Sequence, residues 1–178
     1  VGTVFSKIFE TNRGYLNVIL RALHLDFLCQ QWLATPKTAL ACLLFVNIWQ
    51  WTGYSMLMYY TNMLNIPQDL YESATIDGAG SFKQFIYITF PLLRGTHITL
   101  IILDILGALK FFDLSYVLTD GGPAHATETF STYIYTKSFS TFQQGQASTI
   151  VVFMFLIAMV LTVIQLKIYY KKDRKEMN

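Results

Sequence analysis

Residues 64–91 read L-N-I-P-Q-D-L-Y-E-S-A-T-I-D-G-A-G-S-F-K-Q-F-I-Y-I-T-F-P. They form the one long polar break between two apolar stretches, and their punctuation predicts two short helices joined by a tight turn. Asn65 is expected to cap the first helix. Pro67 suits its opening turn, where a missing N–H is harmless, and Asp69 sits near the positive helix end. Gly78 and Gly80 stop that helix. Ser81 and Gln84 have the spacing of a capping box for a second one, and Pro91 leads into the next apolar run. A polar helix-turn-helix between two apolar runs is expected where a membrane chain meets water.

The composition agrees with that setting. Of 178 residues, 53% are hydrophobic and only 13% are charged, too apolar for an ordinary soluble domain. The mean hydropathy is +0.40. The net charge of +2 does not indicate nucleic acid, because the basic residues gather at the C-terminus and do not line a face with exposed aromatic rings. Cys29 and Cys42 lack metal-ligand spacing, so two unpaired thiols are expected, Cys42 in lipid. The chain opens in mid-pattern at Val1, without an initiator methionine, which predicts an N-terminal truncation.

Working outward from the polar break, residues 38–63 and 92–118 flank it as expected transmembrane helices, and residues 147–170 form a third. Residues 1–9 are too short to span and are expected to end a missing helix. Residues 11–37 read as a loop with short surface helices, in which Trp32 suits either headgroup depth or a packed core. In 38–63, Asn47, Gln50, Tyr54 and Met58 recur at helical spacing with Trp51 beside them, making one face polar and aromatic. Such a stripe serves either helix-to-helix hydrogen bonding or a solute path, since rings beside amides suit a sugar's C–H face and hydroxyls. Asp104 lies near the middle of 92–118 and shares a face with Gly107 and Ala108. An intramembrane carboxylate should face a bundle interior or an aqueous cavity, as a buried interhelical hydrogen bond or as part of the path.

Residues 115–146 are polar and aromatic, with a turn at Asp120-Gly121-Gly122-Pro123, and read as a solvated loop. Asp120 and Glu128 lack any surrounding pocket signature that would make them a catalytic pair. Residues 171–178 form a basic tail containing Lys171, Lys172, Arg174 and Lys175, which the positive-inside rule places in the cytoplasm. Counting back through the spans then places 64–91 on the cytoplasmic side. There is no G-x-x-x-x-G-K-[ST] phosphate loop, no His/Cys cluster for a metal and no nucleophile elbow, so no catalytic or metal residues are assigned.

Residues 64–91 also carry a resemblance. Glu72, Ala74, Asp77, Gly78, Ala79, Ile88 and Pro91 fit the E-A-A, three residues, G, nine residues, I-x-L-P loop of bacterial ABC-importer permeases, with Ser73 and Phe90 as conservative departures. Together with T-D-G-G-P at 119–123, in the loop over 115–146, this resembles the sugar-importer branch that includes permeases for maltose and for glycerol phosphate. The resemblance implies an all-α, polytopic transmembrane helical bundle, a type I permease core, with a cytoplasmic coupling helix-turn-helix. It implies a bacterial cell-membrane protein that translocates a sugar or oligosaccharide by alternating access. The implied partners are a second homologous permease, cytoplasmic ATP-binding subunits that carry ATP and magnesium, and an extracytoplasmic solute-binding protein. An ungapped register against the maltose permease puts Tyr54 on a sugar-contacting tyrosine, with neighbouring contact positions at Gln50, Trp51, Asp104, Gly107 and Ala108, where the residue identities differ. A permease for another small polar solute, a secondary transporter using Asp104 as an ion site, and a membrane scaffold are the other readings; only the ATP-driven permease needs the loop motif.

Overall fold

A computed structural model describes residues 1–167 in full and carries the backbone of the last helix to Glu176. The basic side chains expected to orient the tail lie outside the described residues. The order of helices is α1 (Gly2–Ile8), α2 (Tyr15–Ala22), α3 (Pro36–Met63), α4 (Gln68–Ile76), α5 (Ser81–Gln84), α6 (Phe90–Leu92), α7 (Arg94–Leu109), α8 (Asp113–Thr119), α9 (Phe130–Tyr135) and α10 (Gln144–Glu176). Wider π turns occupy Phe85–Thr89 and Thr136–Ser140. No strand occurs among the described residues.

α3 has 28 residues, about 42 Å at 1.5 Å per residue. Among the described helices, Gln144–Lys167 alone is by itself both long and apolar enough to cross a membrane. Ser81–Leu92 and Arg94–Leu109 meet that standard together, bent by 63°. The polar and aromatic stripe of α3 dilutes its apolar character, which is why length is not matched by hydropathy there. The helix expected over 92–118 is shorter and displaced: it is already helical before Pro91, bends at Leu93, ends at Leu109, and resumes separately as α8. Proline inside a helix removes a donor and crowds the preceding turn, and the π turn immediately before Pro91 widens the backbone where that crowding falls.

The chain divides into two compact units, each described by itself. The first combines Val1–Gln50 with Leu106–Val160. Its core is Phe9, Cys42, Leu43, Val46, Leu114 and Leu118, with Phe5, Ile8, Trp32 and Phe111 packed against it. Cys42 is therefore inside the protein and not in lipid; an apolar helix face looks the same in sequence whether lipid or side chains cover it. Both cysteines are free thiols. Buried Asn17 on α2 ties the 11–32 segment together: its Nδ2 donates to Thr11 O at 2.9 Å and Gln30 O at 3.1 Å, and its Oδ1 accepts from Trp32 Nε1 at 2.8 Å. Trp32 is thus a core residue with a satisfied indole.

The segment expected to be a solvated loop, 115–146, is more ordered than that. Ser115, Thr127 and Thr132 are buried. Thr127 Oγ1 donates to Gly122 O at 2.6 Å, lies 2.6 Å from Thr119 Oγ1, and its carbonyl accepts from Ser115 Oγ. Thr129 caps α9 in a reciprocal box with Thr132 and also donates to Phe111 O. Small hydroxyl residues that read as polar in sequence close a turn by satisfying its backbone, which lets it be buried. Glu128 pairs with His125 at 3.1 Å.

The second unit is Trp51–Ile105 with the end of the chain from Leu161. It contains the whole of 64–91 and buries Thr89, Leu93, Thr96 and Leu100.

Candidate functional site

Residues 64–91 form two short helices broken at Gly78. α4 ends in a closed left-handed cap: Gly78 N–H donates to Thr75 O at 3.0 Å and Ala79 N–H to Ala74 O at 2.8 Å, with Gly78 at φ +77°. This paired closure satisfies the last carbonyls of the helix and needs a residue without Cβ strain at the left-handed position. Ala74 and Ala79, half-buried, are the residues joined across it. The spacing of small residues in the motif therefore has a local cause. A Cβ at Gly78 would meet nothing within 4 Å, so its requirement is conformational.

The caps anticipated on either side are not formed. Pro67, and not Asn65, occupies the N-cap of α4, and Asn65 Nδ2 turns back to Thr61 O at 3.1 Å. Gly80, and not Ser81, precedes α5, which has no side-chain cap. Gln84 is occupied elsewhere: its Nε2 reaches across the turn to Thr75 Oγ1 at 2.9 Å, Ala79 O at 3.1 Å and Tyr71 O at 3.4 Å. A second bond joins Tyr71 OH to Thr89 Oγ1 at 2.8 Å. Local capping loses here to cross-helix bonding, which satisfies more groups at once. Sequence periodicity missed Tyr71 and Thr89; the signal available was a threonine inside the run Ile86-Tyr87-Ile88-Thr89-Phe90.

The outward face is left open. Glu72 is exposed and its Oε1 accepts from Gln68 Nε2 at 3.0 Å. Gln68, Tyr71, Glu72, Thr75 and Ile76 line one shallow groove, and Ile76 is 86% exposed with Phe82 at 75%. Asp77 and Gly78 at the tip are exposed, Ile88 is half-buried and Pro91 is exposed. A carboxylate beside unburied aliphatic and aromatic side chains is a surface suited to a protein partner and not to water alone.

The residues expected along a solute path are distributed over both units. In the first, Asn47 is half-buried, while Gln50, Gly107 and Ala108 are exposed. In the second, Trp51 and Tyr54 are exposed and meet edge to face, with ring centroids 6.1 Å apart at 88°. Asp104 is also exposed, and no hydrogen bond or ion pair engages its carboxylate among the described residues. No group of three or more His, Cys, Asp or Glu side chains is arranged for a metal among them.

Residues 7–174 match the family described as the binding-protein-dependent transport system inner membrane component. The chain belongs to this family. It is a membrane protein with the all-α, polytopic fold of an ABC-transporter permease. A probable ABC transporter permease of Bacillus subtilis is 35% identical over 99% of this chain and 60% of its own length. A trehalose/maltose transport system permease of Thermococcus litoralis is 35% identical over 90% of this chain and 54% of its own. The crystal structure of a bacterial alginate ABC transporter, in complex with an alginate pentasaccharide-bound periplasmic protein, superposes with a TM-score of 0.82 at 23% identity. It covers 92% of this chain and 57% of that one. The chain thus spans about 60% of the length of the B. subtilis relative.

Proposed function

We propose that this chain is a transmembrane permease subunit of an ATP-driven, binding-protein-dependent importer, with a sugar or oligosaccharide as solute. One observation carries the reading: in a chain of this family, the helix-turn-helix over 64–91 is internally braced yet leaves Glu72, Ile76 and Phe82 open at its surface. That is the form expected of a docking element for a separate ATP-binding subunit, where hydrolysis with magnesium takes place. The chain has no phosphate loop of its own. The cytoplasmic side is assigned to 64–91 by the basic C-terminal residues. A second related permease and an extracytoplasmic solute-binding protein complete the complex.

The solute class rests on relatives named for trehalose and maltose and for alginate. It is supported by the exposed Trp51–Tyr54 pair and the exposed carboxylate of Asp104, with Asn47 and Gln50 at helical spacing on α3 and Gly107 and Ala108 following Asp104 at helical spacing on α7. Rings and amides of this kind bind sugar faces and hydroxyls.

The test is copurification of the full permease with its ATP-binding subunit, followed by solute-stimulated ATP hydrolysis and uptake in proteoliposomes. Glu72→Lys and Gly78→Asp are expected to assemble and to lose uptake by about 10-fold or more, since a reversed charge or a strained tip spoils the docking surface. If both variants hydrolyse ATP and transport as the parent does, the docking role is wrong. A cysteine at Lys83 that reacts with an impermeant reagent from outside intact cells would overturn the orientation.

A further inference from the structure

Three sets of bonds cross the helix-turn-helix of the second unit at successive levels. Gln84 holds the tip through Tyr71, Thr75 and Ala79. Tyr71 and Thr89 hold the middle. The base is held by His97, three residues into α7. Its Nδ1 lies 2.8 Å from Tyr59 OH, near the end of α3, and its Nε2 lies 3.1 Å from Phe90 O. A carbonyl only accepts, so Nε2 carries the proton and, in the neutral ring, Nδ1 accepts from the Tyr59 hydroxyl. The imidazole also lies 4.6 Å from the Phe90 ring and 5.2 Å from the Tyr59 ring, centroid to centroid.

The location matters more than the bonds alone. Tyr59 stands on the helix that enters 64–91, while Phe90 and His97 stand on either side of the bend by which the chain leaves it, the 63° break at Leu93. Bends of this size open the ladder of backbone bonds, and a side chain that bonds a carbonyl across the break fixes its angle. A single imidazole therefore ties the entering stalk, the last turn before the bend and the first turn after it.

We propose that His97 is a positioning residue for energy coupling: by clasping Tyr59 and Phe90 it makes residues 59–97 one lever, so that displacement of the tip is delivered to α3 and α7 together. This rests on the coupling role proposed above for 64–91. Without the clasp the bend at Leu93 absorbs the displacement.

The experiment uses the full complex, with spin labels at Thr61→Cys and Thr99→Cys, both exposed positions on the two stalks. The unmodified clasp should give one narrow distance distribution, the same without nucleotide and with ATP. His97→Phe keeps a ring but loses both hydrogen bonds, and Tyr59→Phe loses the hydroxyl alone; both should broaden the distribution. Uptake of radiolabelled maltose, trehalose or arabinotriose per ATP hydrolysed, per assembled complex, should fall about 5-fold in Tyr59→Phe, the equilibrium weight of one lost hydrogen bond, and further in His97→Phe, which loses two. His97→Gln, whose amide both donates and accepts, should retain more than His97→Phe. Lower assembly with an unbroadened distribution and an unchanged uptake ratio would mean that His97 serves folding only, and overturns the proposal. If Glu72→Lys uncouples while the His97 variants do not, the lever is wrong and the docking role stands; if none of them uncouples, the docking role itself has failed.

Discussion

The two compact units differ in which polar side chains they bury and which they leave open. The first buries Asn17, Ser115, Thr127 and Thr132, and each of these spends its hydrogen bonds on backbone or side chains of the same unit. The second leaves Glu72, Asp77 and Asp104 exposed and uses Gln84, Tyr71 and His97 only to brace the element that presents them. Buried polar groups that are fully paired specify one conformation, whereas exposed ones keep their bonding capacity for something else. The buried polar groups of the first unit are thus self-sufficient, while the exposed carboxylates of Asp77 and Asp104 in the second keep their bonding capacity.

That contrast predicts a graded series of substitutions. The largest loss of stability is expected for Asn17→Leu, which strands the Trp32 indole N–H and two carbonyls; about 3 kcal/mol or more should disappear from unfolding of the detergent-solubilised permease. Thr127→Val keeps the shape but removes the hydroxyl from Gly122 O and from Thr119, and should cost about 2 kcal/mol in the same measurement. In the second unit, Gly78→Ala meets open space and pays only for its left-handed backbone, about 1 kcal/mol. Gly78→Asn should cost less, because asparagine tolerates that conformation. Equal losses for Asn17→Leu and Gly78→Ala would erase the distinction between the units.

The same contrast explains what could be read in advance. The turn at Gly78 was legible because backbone conformation restricts residue type at that point, and Ala74, Gly78 and Ala79 stand at fixed offsets. Asn65 and Ser81 misled because capping residues are judged from local spacing, whereas Gln84 found its partners across the turn. The span expected over 92–118 hid its bend and its break, since apolar composition continues through Leu93 and resumes at Leu114 whether or not the helix does. Cys42 was misplaced for a related reason: nothing in an apolar helix face tells protein from lipid. Asn17 and His97 carried no signal, because a lone polar residue acquires its meaning only from carbonyls and rings brought to it by folding. The residues proposed for a solute path formed a pattern along each helix, but a pattern does not identify what occupies the space beyond it.

The π turn at Phe85–Thr89 bears on how chains of this kind can change length. A π turn holds one residue more than an α turn, so it is a single-residue insertion absorbed without breaking the helix. Removing one residue there would restore α-helical winding and leave the tip side in nearly its present rotation against α6, because the wider turn already fits its extra residue into a single turn of helix. Glu72 and the open groove would then keep their direction although the chain had become one residue shorter. Relatives that lack one residue between Gln84 and Phe90 should therefore wind there as plain α-helix and still present the same face of these two helices.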